Sequence, residues 1–183
     1  KQVAEALIGI HTANLLPVSG EIARHFEQAQ VVDQAVIYYN FAADYAKKLY
    51  VHSEAVHYRQ KALQLAQQFS TISPNGQQQI NLLHELGRDR TLASGRGNSV
   101  AGDAWIQAYE LAKTSGTPGQ LAQSLVDLAR YYRDQGKWIL AQQFAKDGFA
   151  LTNMLKDDHL IAKATFELAS ILWHQGHFQE CLI

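Results

Sequence analysis

Arginine side chains that could bind carboxylates follow directly after a small residue in three separate segments of the sequence. Arg24 and Arg130 each follow an alanine, Arg88 follows a glycine, and Arg133 lies one helical turn beyond Arg130. The planar guanidinium group donates two parallel hydrogen bonds to a carboxylate, which suits arginine to the recognition of acidic groups. The pattern therefore predicts a basic stripe that binds an acidic peptide or an acidic segment of the same protein.

Aromatic side chains fall at related places in a later segment of the chain. Ser170 follows an alanine as Arg24 and Arg130 do, so it corresponds to the arginines. Phe166 lies one helical turn before Ser170, and Trp173 lies one turn after it. Aromatic and arginine side chains carry much of the binding energy at protein interfaces. The predicted partner-binding residues are Arg24, His84, Arg88, Arg130, Arg133, Phe166 and Trp173.

Ordinary surface charge is the alternative explanation of these arginines. Arg130 could pair with Asp127 or Asp134 on its own helix, and exposed pairs of this kind contribute little to stability. Solvated charge is the more common outcome on protein surfaces, and the sequence leaves both explanations open.

The other reactive side chains do not form a recognisable catalytic or metal site. His174, His177 and Cys181 have a spacing that could suggest zinc, but a structural zinc site usually has four ligands. Cys181 stands forty residues after Ala141, so we expect it to pack as a small apolar residue. The glycine-rich loop at 95–99 follows no predicted strand, and the chain contains no GxxxxGK[ST] phosphate loop. We therefore predict no catalytic residue, no cofactor and no metal.

The composition indicates a globular chain without a strong attraction to nucleic acid. The chain has 183 residues, 47% of them hydrophobic, and a formal net charge of −1 at pH 7. This charge lacks the basic excess of nucleic-acid-binding proteins, and no apolar run approaches the roughly 18 residues of a membrane span. One cysteine and the lack of a signal-peptide pattern favour the cytoplasm. Because the chain starts at Lys1 and ends in what reads as the first turn of a helix, we expect a fragment of a longer protein.

Nearly every segment has the apolar periodicity of a helix, and no alternating run predicts a strand. Alanine, leucine, glutamine, glutamate and lysine, all good helix formers, are frequent throughout. Turns with glycine or proline interrupt the pattern, for example at 73–76, 95–98 and 115–119. About ten helices are predicted, at roughly 2–12, 19–29, 33–49, 52–69, 76–94, 100–114, 118–135, 138–155, 158–175 and from 178 onward.

Two segments in the last third of the chain repeat each other with a shift of 40 residues. Segment 128–141 carries Leu-Ala, Tyr, Gly, Trp and Ala at places where segment 168–181 carries Leu-Ala, Leu, Gly, Phe and Cys. A fixed period of this size is typical of stacked helical hairpins, which bury their apolar faces against each other. The sequence predicts one domain, 1–183, with repeat units at 19–49, 33–69, 76–114, 118–155 and a shortened 158–183.

The small residues Ala129 and Ala141 lie twelve apart, with Tyr132, Gly136 and Trp138 between them. This spacing resembles the tetratricopeptide repeat (TPR), with a lengthened unit. The resemblance implies an all-α fold, a right-handed superhelix of stacked antiparallel helix hairpins. It further implies that the first helix of each hairpin lines a concave face, where proteins or peptides bind.

Segment 20–29, followed by Ala35 and the tyrosine pair at 38–39, and segment 53–65 carry a narrower resemblance. They are similar to the first repeats of multidomain bacterial regulators with a STAND-type ATPase, including LuxR-type and SARP-type transcriptional activators. This resemblance implies a noncatalytic, signal-sensing scaffold that binds a protein, another domain of its own chain or a small-molecule inducer. The alternatives are a freestanding adaptor for an extended acidic peptide and, less favoured, an enzyme in a helical scaffold.

Overall fold

The computed structural model describes residues 1–69 and 76–181, and the regular structure within these ranges is entirely helical. Nine α-helices and two short 3₁₀ turns, Leu16–Val18 and Phe178–Cys181, are found there, with no strand. The α-helices are α1 (Gln2–Ile10), α2 (Ser19–Gln28), α3 (Val32–Lys48), α4 (His52–Gln68), α5 (Gly76–Ser94), α6 (Ser99–Ser115), α7 (Pro118–Asp134), α8 (Trp138–Leu155) and α9 (Asp158–His174). The predicted all-α class is confirmed.

The helices agree with the predicted boundaries to within a few residues, except at the end of the chain. The predicted tenth helix is a 3₁₀ turn at Phe178–Cys181, as far as the structure describes it. Residues 182–183 lie outside the described ranges, and so do residues 73–75 of the predicted break. None of the described helices has the length and apolar character of a membrane span.

Local sequence sets the ends of the helices and the short turns between them. The Thr117 hydroxyl accepts a hydrogen bond from the backbone N–H of Gln120, whose side chain in turn accepts one from the Thr117 backbone. This capping box, with Pro118 in the first turn, begins α7. Gly136 and Gly176 follow the C-cap residues of α7 and α9 and adopt φ values of 72° and 81°, a region that glycine enters at low cost. Such short turns force successive helices to pack antiparallel.

Small residues allow the helices within and between hairpins to approach closely. Ala129, Ala141 and Ala145 are fully buried between α7, α8 and α9, in the places that the repeat pattern predicts. Gly102 on α6 lies against the ring of Tyr131, and a Cβ atom there would come within 2.0 Å of the ring. A side chain at position 102 would therefore force the Tyr131 ring to move.

The stack alternates between two sets of helices. The pairs α3–α4, α5–α6 and α7–α8 pack most extensively, and α7 also contacts both α5 and α9 directly. Because successive helices are antiparallel, α3, α5, α7 and α9 run in the same direction on one side of the stack. Helix α2 belongs to the other set, with α4, α6 and α8.

Candidate partner-binding groove

The four helices α3, α5, α7 and α9 carry the same four-residue pattern at one place. An acidic residue is followed by an apolar or aromatic residue, a small residue and a polar residue, which is a cation in three of the four. The acid and the cation are three residues apart, so they lie on one face of the helix. The four copies are Asp44-Tyr45-Ala46-Lys47, Glu85-Leu86-Gly87-Arg88, Asp127-Leu128-Ala129-Arg130 and Glu167-Leu168-Ala169-Ser170.

Each cation of this pattern pairs with the acid of the next helix in the set. We call this series of ion pairs the charge ladder. The separations are 3.5 Å from Lys47 Nζ to Glu85 Oε2, 3.7 Å from Arg88 Nη2 to Asp127 Oδ2, and 2.8 Å from Arg130 Nε to Glu167 Oε1. The cations also face the acids of their own helices, so the ladder alternates in sign across four helices.

Two acids of the ladder, Asp127 and Glu167, lie deeper in the protein than its cations. Asp127 is fully buried and Glu167 is 2% exposed, whereas about a third of the Arg130 side chain is accessible. Glu167 accepts hydrogen bonds from Arg130 and Arg133. Burial lowers the pKa of Arg130, but the hydrogen bond to Glu167 and the charges of Asp127 and Glu167 outweigh it and raise the pKa. Much of the predicted basic stripe is thus already neutralised within the protein.

Sequence reasoning missed the acids Glu85 and Glu167. The signal for Glu85 was its place three residues before Arg88, and the signal for Glu167 was its place forty residues after Asp127. Sequence reasoning also chose Arg24, which follows an alanine as Arg130 does. Arg24 lies on α2, in the other set of helices, and the residue that matches Arg88 on α3 is Lys47. The structure therefore does not bring Arg24 together with the other predicted residues.

His84 is also absent from the accessible surface of this face. The side chains of His84 and Ser124 are buried with Asp127, and His84 Nδ1 lies 2.8 Å from Asp127 Oδ2. His84 Nε2 lies 3.1 Å from Ser124 Oγ, which itself donates a hydrogen bond to the Gln120 carbonyl. The serine thus contacts the histidine, and the histidine contacts the aspartate, as in a hydrolytic triad. Here the serine is fully enclosed, and the three side chains fasten α5 to α7.

Burial raises the pKa of Asp127, but its partners more than compensate. The hydrogen bond from His84 and the charges of His84, Arg88 and Arg130 stabilise the ionised carboxylate, so the pKa of Asp127 is lowered. Asp127 thus serves as the common anion at the junction of α5 and α7.

A cavity of about 840 Å³ opens over the charge ladder between α5, α7 and α9. We call this cavity the groove. It brings together four of the predicted residues, namely Arg88, Arg130, Arg133 and Phe166. Trp173 does not line it, since its exposed ring packs edge-to-face against Phe178 with centroids 4.8 Å apart.

Two cations of the groove, Lys163 and Arg96, lack the acidic partners that neutralise the arginines. Among the side chains that the structure describes, no carboxylate lies within 4.0 Å of either of them. Lys163 Nζ donates a weak hydrogen bond, at 3.4 Å, to Gln123 Oε1. Burial and the like charges of Arg88 and Arg130 lower the pKa of Lys163, and they outweigh the opposite effect of the more distant Asp127 and Glu85. Its place is four residues before the ladder acid, where the other three helices carry the amides Asn40, Asn81 and Gln123.

The remaining candidates from the sequence are the histidines and cysteine near the end of the chain and the glycine-rich loop. No group of three potential metal ligands occurs in the part of the chain that the structure describes, and the Cys181 side chain lies outside it. The 95–99 loop packs on the end of α7, where Gln135 Nε2 donates to the Gly97 carbonyl at 3.2 Å. The loop therefore connects α5 to α6, and this contact holds it against α7.

Comparison with known proteins identifies the fold. No protein-family model matches the chain, and no curated protein matches it in sequence. Among solved structures, it is similar to BtubC (BKLC) from P. vanneervenii, with a TM-score of 0.72 and 14% identity over 93% of this chain and 70% of that one. Two structures of a Podosopora anserina kinesin light chain-like protein with nearly identical TPR-like repeats give TM-scores of 0.51 and 0.50. Each is 20% identical and covers 91% of this chain and 89% of that one. The chain therefore has the TPR-like helical-repeat fold.

Proposed function

We propose that this chain is a noncatalytic protein-interaction scaffold that binds an acidic polypeptide segment in the groove. The observation that carries this proposal is the local excess of positive charge in a chain whose net charge is −1. The groove is lined by five cations, Arg88, Arg96, Arg130, Arg133 and Lys163, and by two carboxylates, Asp134 and Glu167. The lining residues carry three more positive than negative charges, and Asp127 beneath them and Glu85 beside Arg88 reduce this excess to one. The remaining positive charge favours an anionic partner.

The groove also offers apolar surface for an anchor residue. Phe166 is 66% exposed, and Leu92 on the opposite side is 52% exposed. Aromatic and aliphatic surface beside cations suits a segment that combines acidic residues with one apolar side chain. An extended peptide fits this geometry because stacked helical repeats form elongated concave surfaces.

We further propose that the scaffold is a signal-sensing arm of a cytoplasmic bacterial regulator or signalling ATPase. The support is the sequence resemblance of segments 20–29 and 53–65 to the repeats of such regulators. In that setting the acidic segment belongs to a partner or to another domain of the same protein, and an inducer is a second type of ligand. A freestanding adaptor is the alternative setting, with the same groove and the same chemistry.

Reversing the charges of Arg96 and Lys163 tests the proposed function without removing a residue of the charge ladder. The probe is a fluorescein-labelled oligoglutamate peptide with a central phenylalanine, titrated with the protein at low salt and followed by fluorescence anisotropy. We expect the double variant Arg96→Glu/Lys163→Glu to bind about tenfold or more weakly, because the groove loses its two unneutralised cations.

The matched control makes the same charge change outside the groove, with Lys48→Glu on α3 and Lys146→Glu on α8, both exposed. This control should stay within about threefold of the original affinity, since distant surface charges are screened. The proposal fails if both double variants weaken binding equally. It also fails if the same peptide with glutamine in place of glutamate binds as tightly.

A further inference from the structure

We propose that Glu167 is a built-in competitor for the acidic ligand, and that it sets the specificity of the groove for strongly acidic segments. The proposal rests on the proposed function, because it concerns the same groove and the same class of ligand. Its basis is the position of one buried carboxylate between the two arginines that a ligand carboxylate would use.

The two oxygens of Glu167 are bound as those of a ligand would be. Oε1 accepts a hydrogen bond from Arg130 Nε at 2.8 Å, and Oε2 accepts one from Arg133 Nη1. One carboxylate held by two guanidinium groups is a strong, charge-assisted arrangement. Only 2% of Glu167 is exposed, and it binds both arginines from the floor of the groove.

The departure from the ladder pattern at α9 directs Glu167 entirely towards α7. On α3, α5 and α7 the acid has a cation three residues later on its own helix. On α9 this place is Ser170, whose hydroxyl lies 3.4 Å from Arg133 Nη1. The charge of Glu167 therefore interacts with Arg130 and Arg133, both on α7. Asp127, in contrast, interacts with His84, Arg88 and Arg130.

A ligand carboxylate that reaches Arg130 or Arg133 must share them with Glu167. A weakly acidic segment gains little from guanidinium groups that are already neutralised, whereas a segment with several carboxylates can also bind Lys163 and Arg96. Removing the charge of Glu167 would raise the positive excess of the groove by one unit. At a separation of a few ångströms this change corresponds to about a tenfold gain in affinity, between the limits of water and of a protein surface.

The test compares Glu167→Gln with the original protein in titrations of the labelled oligoglutamate peptide. Glutamine keeps the size of the side chain and one acceptor oxygen while removing the charge. We expect about tenfold tighter binding and a steeper dependence of affinity on salt. The matched control is Glu110→Gln on α6, an exposed acid outside the groove, which should change the affinity by less than about threefold.

Unchanged or weaker binding by a folded Glu167→Gln protein would overturn the inference, because Glu167 would then position the arginines rather than compete for them. If circular dichroism shows that this variant does not fold, Glu85→Gln decides instead. Glu85 is hydrogen-bonded to Arg88 in the same ladder and is partly exposed, so its loss should also tighten binding, and no gain would overturn the inference. Failure of the proposed function has a different signature, since the original protein would then not bind the peptide at all.

Discussion

Replacing Asp127 by alanine is expected to lower the free energy of unfolding by about 3–5 kcal/mol, the range for removing one partner of a buried ion pair. Asp127 is fully buried and faces His84, Arg88 and Arg130. Its loss leaves these groups without their common anion at the junction of α5 and α7. Chemical denaturation followed by circular dichroism measures the change. Asp147→Ala on the exposed side of α8 is the control and should cost no more than about 0.5 kcal/mol.

Lowering the pH should remove the contribution of the Asp127 carboxylate to the free energy of unfolding. Because the folded state lowers the pKa of Asp127 below its ordinary value of 3.8, the stabilisation is fully present above that value. It is lost as the pH falls through the lower pKa of the folded protein. The Asp127→Ala protein should therefore lose less stability than the original protein between about pH 4 and pH 2. Equal losses in this range, or a cost below about 1 kcal/mol at neutral pH, would contradict the assigned role.

Replacing Arg59 by alanine is expected to cost a similar amount, about 3–5 kcal/mol, at the other end of the stack. Arg59 lies buried on α4 and donates hydrogen bonds from Nε to Asp89 on α5, at 3.0 Å, and from Nη2 to Asp44 on α3, at 2.7 Å. Burial lowers the pKa of Arg59, but Asp89 and Asp44 outweigh it and raise the pKa, so the side chain is charged. Its loss leaves the fully buried Asp89 with Lys47 at 3.5 Å as its remaining partner.

A double variant separates the ion pair from simple packing at this site. Arg59→Met with Asp89→Leu replaces the charged pair by apolar side chains, which is often neutral or stabilising in protein interiors. We expect it to recover most of the stability that Arg59→Ala loses. Lys61→Ala, which removes a more exposed cation of the same helix, is the control and should cost less than about 1 kcal/mol. A double variant less stable than Arg59→Ala would show that hydrogen-bond geometry, rather than an unpaired buried charge, dominates.

Local sequence sufficed to predict the helices and the hairpins. The apolar periodicity, the capping residue Thr117 and the glycines at 136 and 176 act over a few residues, so their effects can be read directly from the chain. The buried alanines Ala129 and Ala141 were also predicted, because the repeat fixes their spacing. These features place Arg88, Arg130, Arg133 and Phe166 in one groove.

The charge ladder was not predicted because it joins residues that are far apart in sequence. Arg130 and Glu167 are 37 residues apart, and Lys47 and Glu85 are 38 apart, so the pairs appear only once the helices are stacked. Arg24 was grouped with Arg88 and Arg130 for a related reason. An alanine before an arginine does not indicate on which side of the stack the helix lies. Helical spacing placed Trp173 on α9 correctly, but its ring turns towards Phe178 instead of the groove.

The position of a bound acidic peptide on the protein is the most direct test of the account. Amide chemical shifts of the isotopically labelled chain can be recorded with and without the oligoglutamate peptide. We predict changes concentrated on α5, α7 and α9, around Arg88, Lys163 and Phe166, that fade as salt is added. Changes confined to α4, α6 and α8, or to the exposed Trp173 and Phe178, would contradict the groove as the binding site.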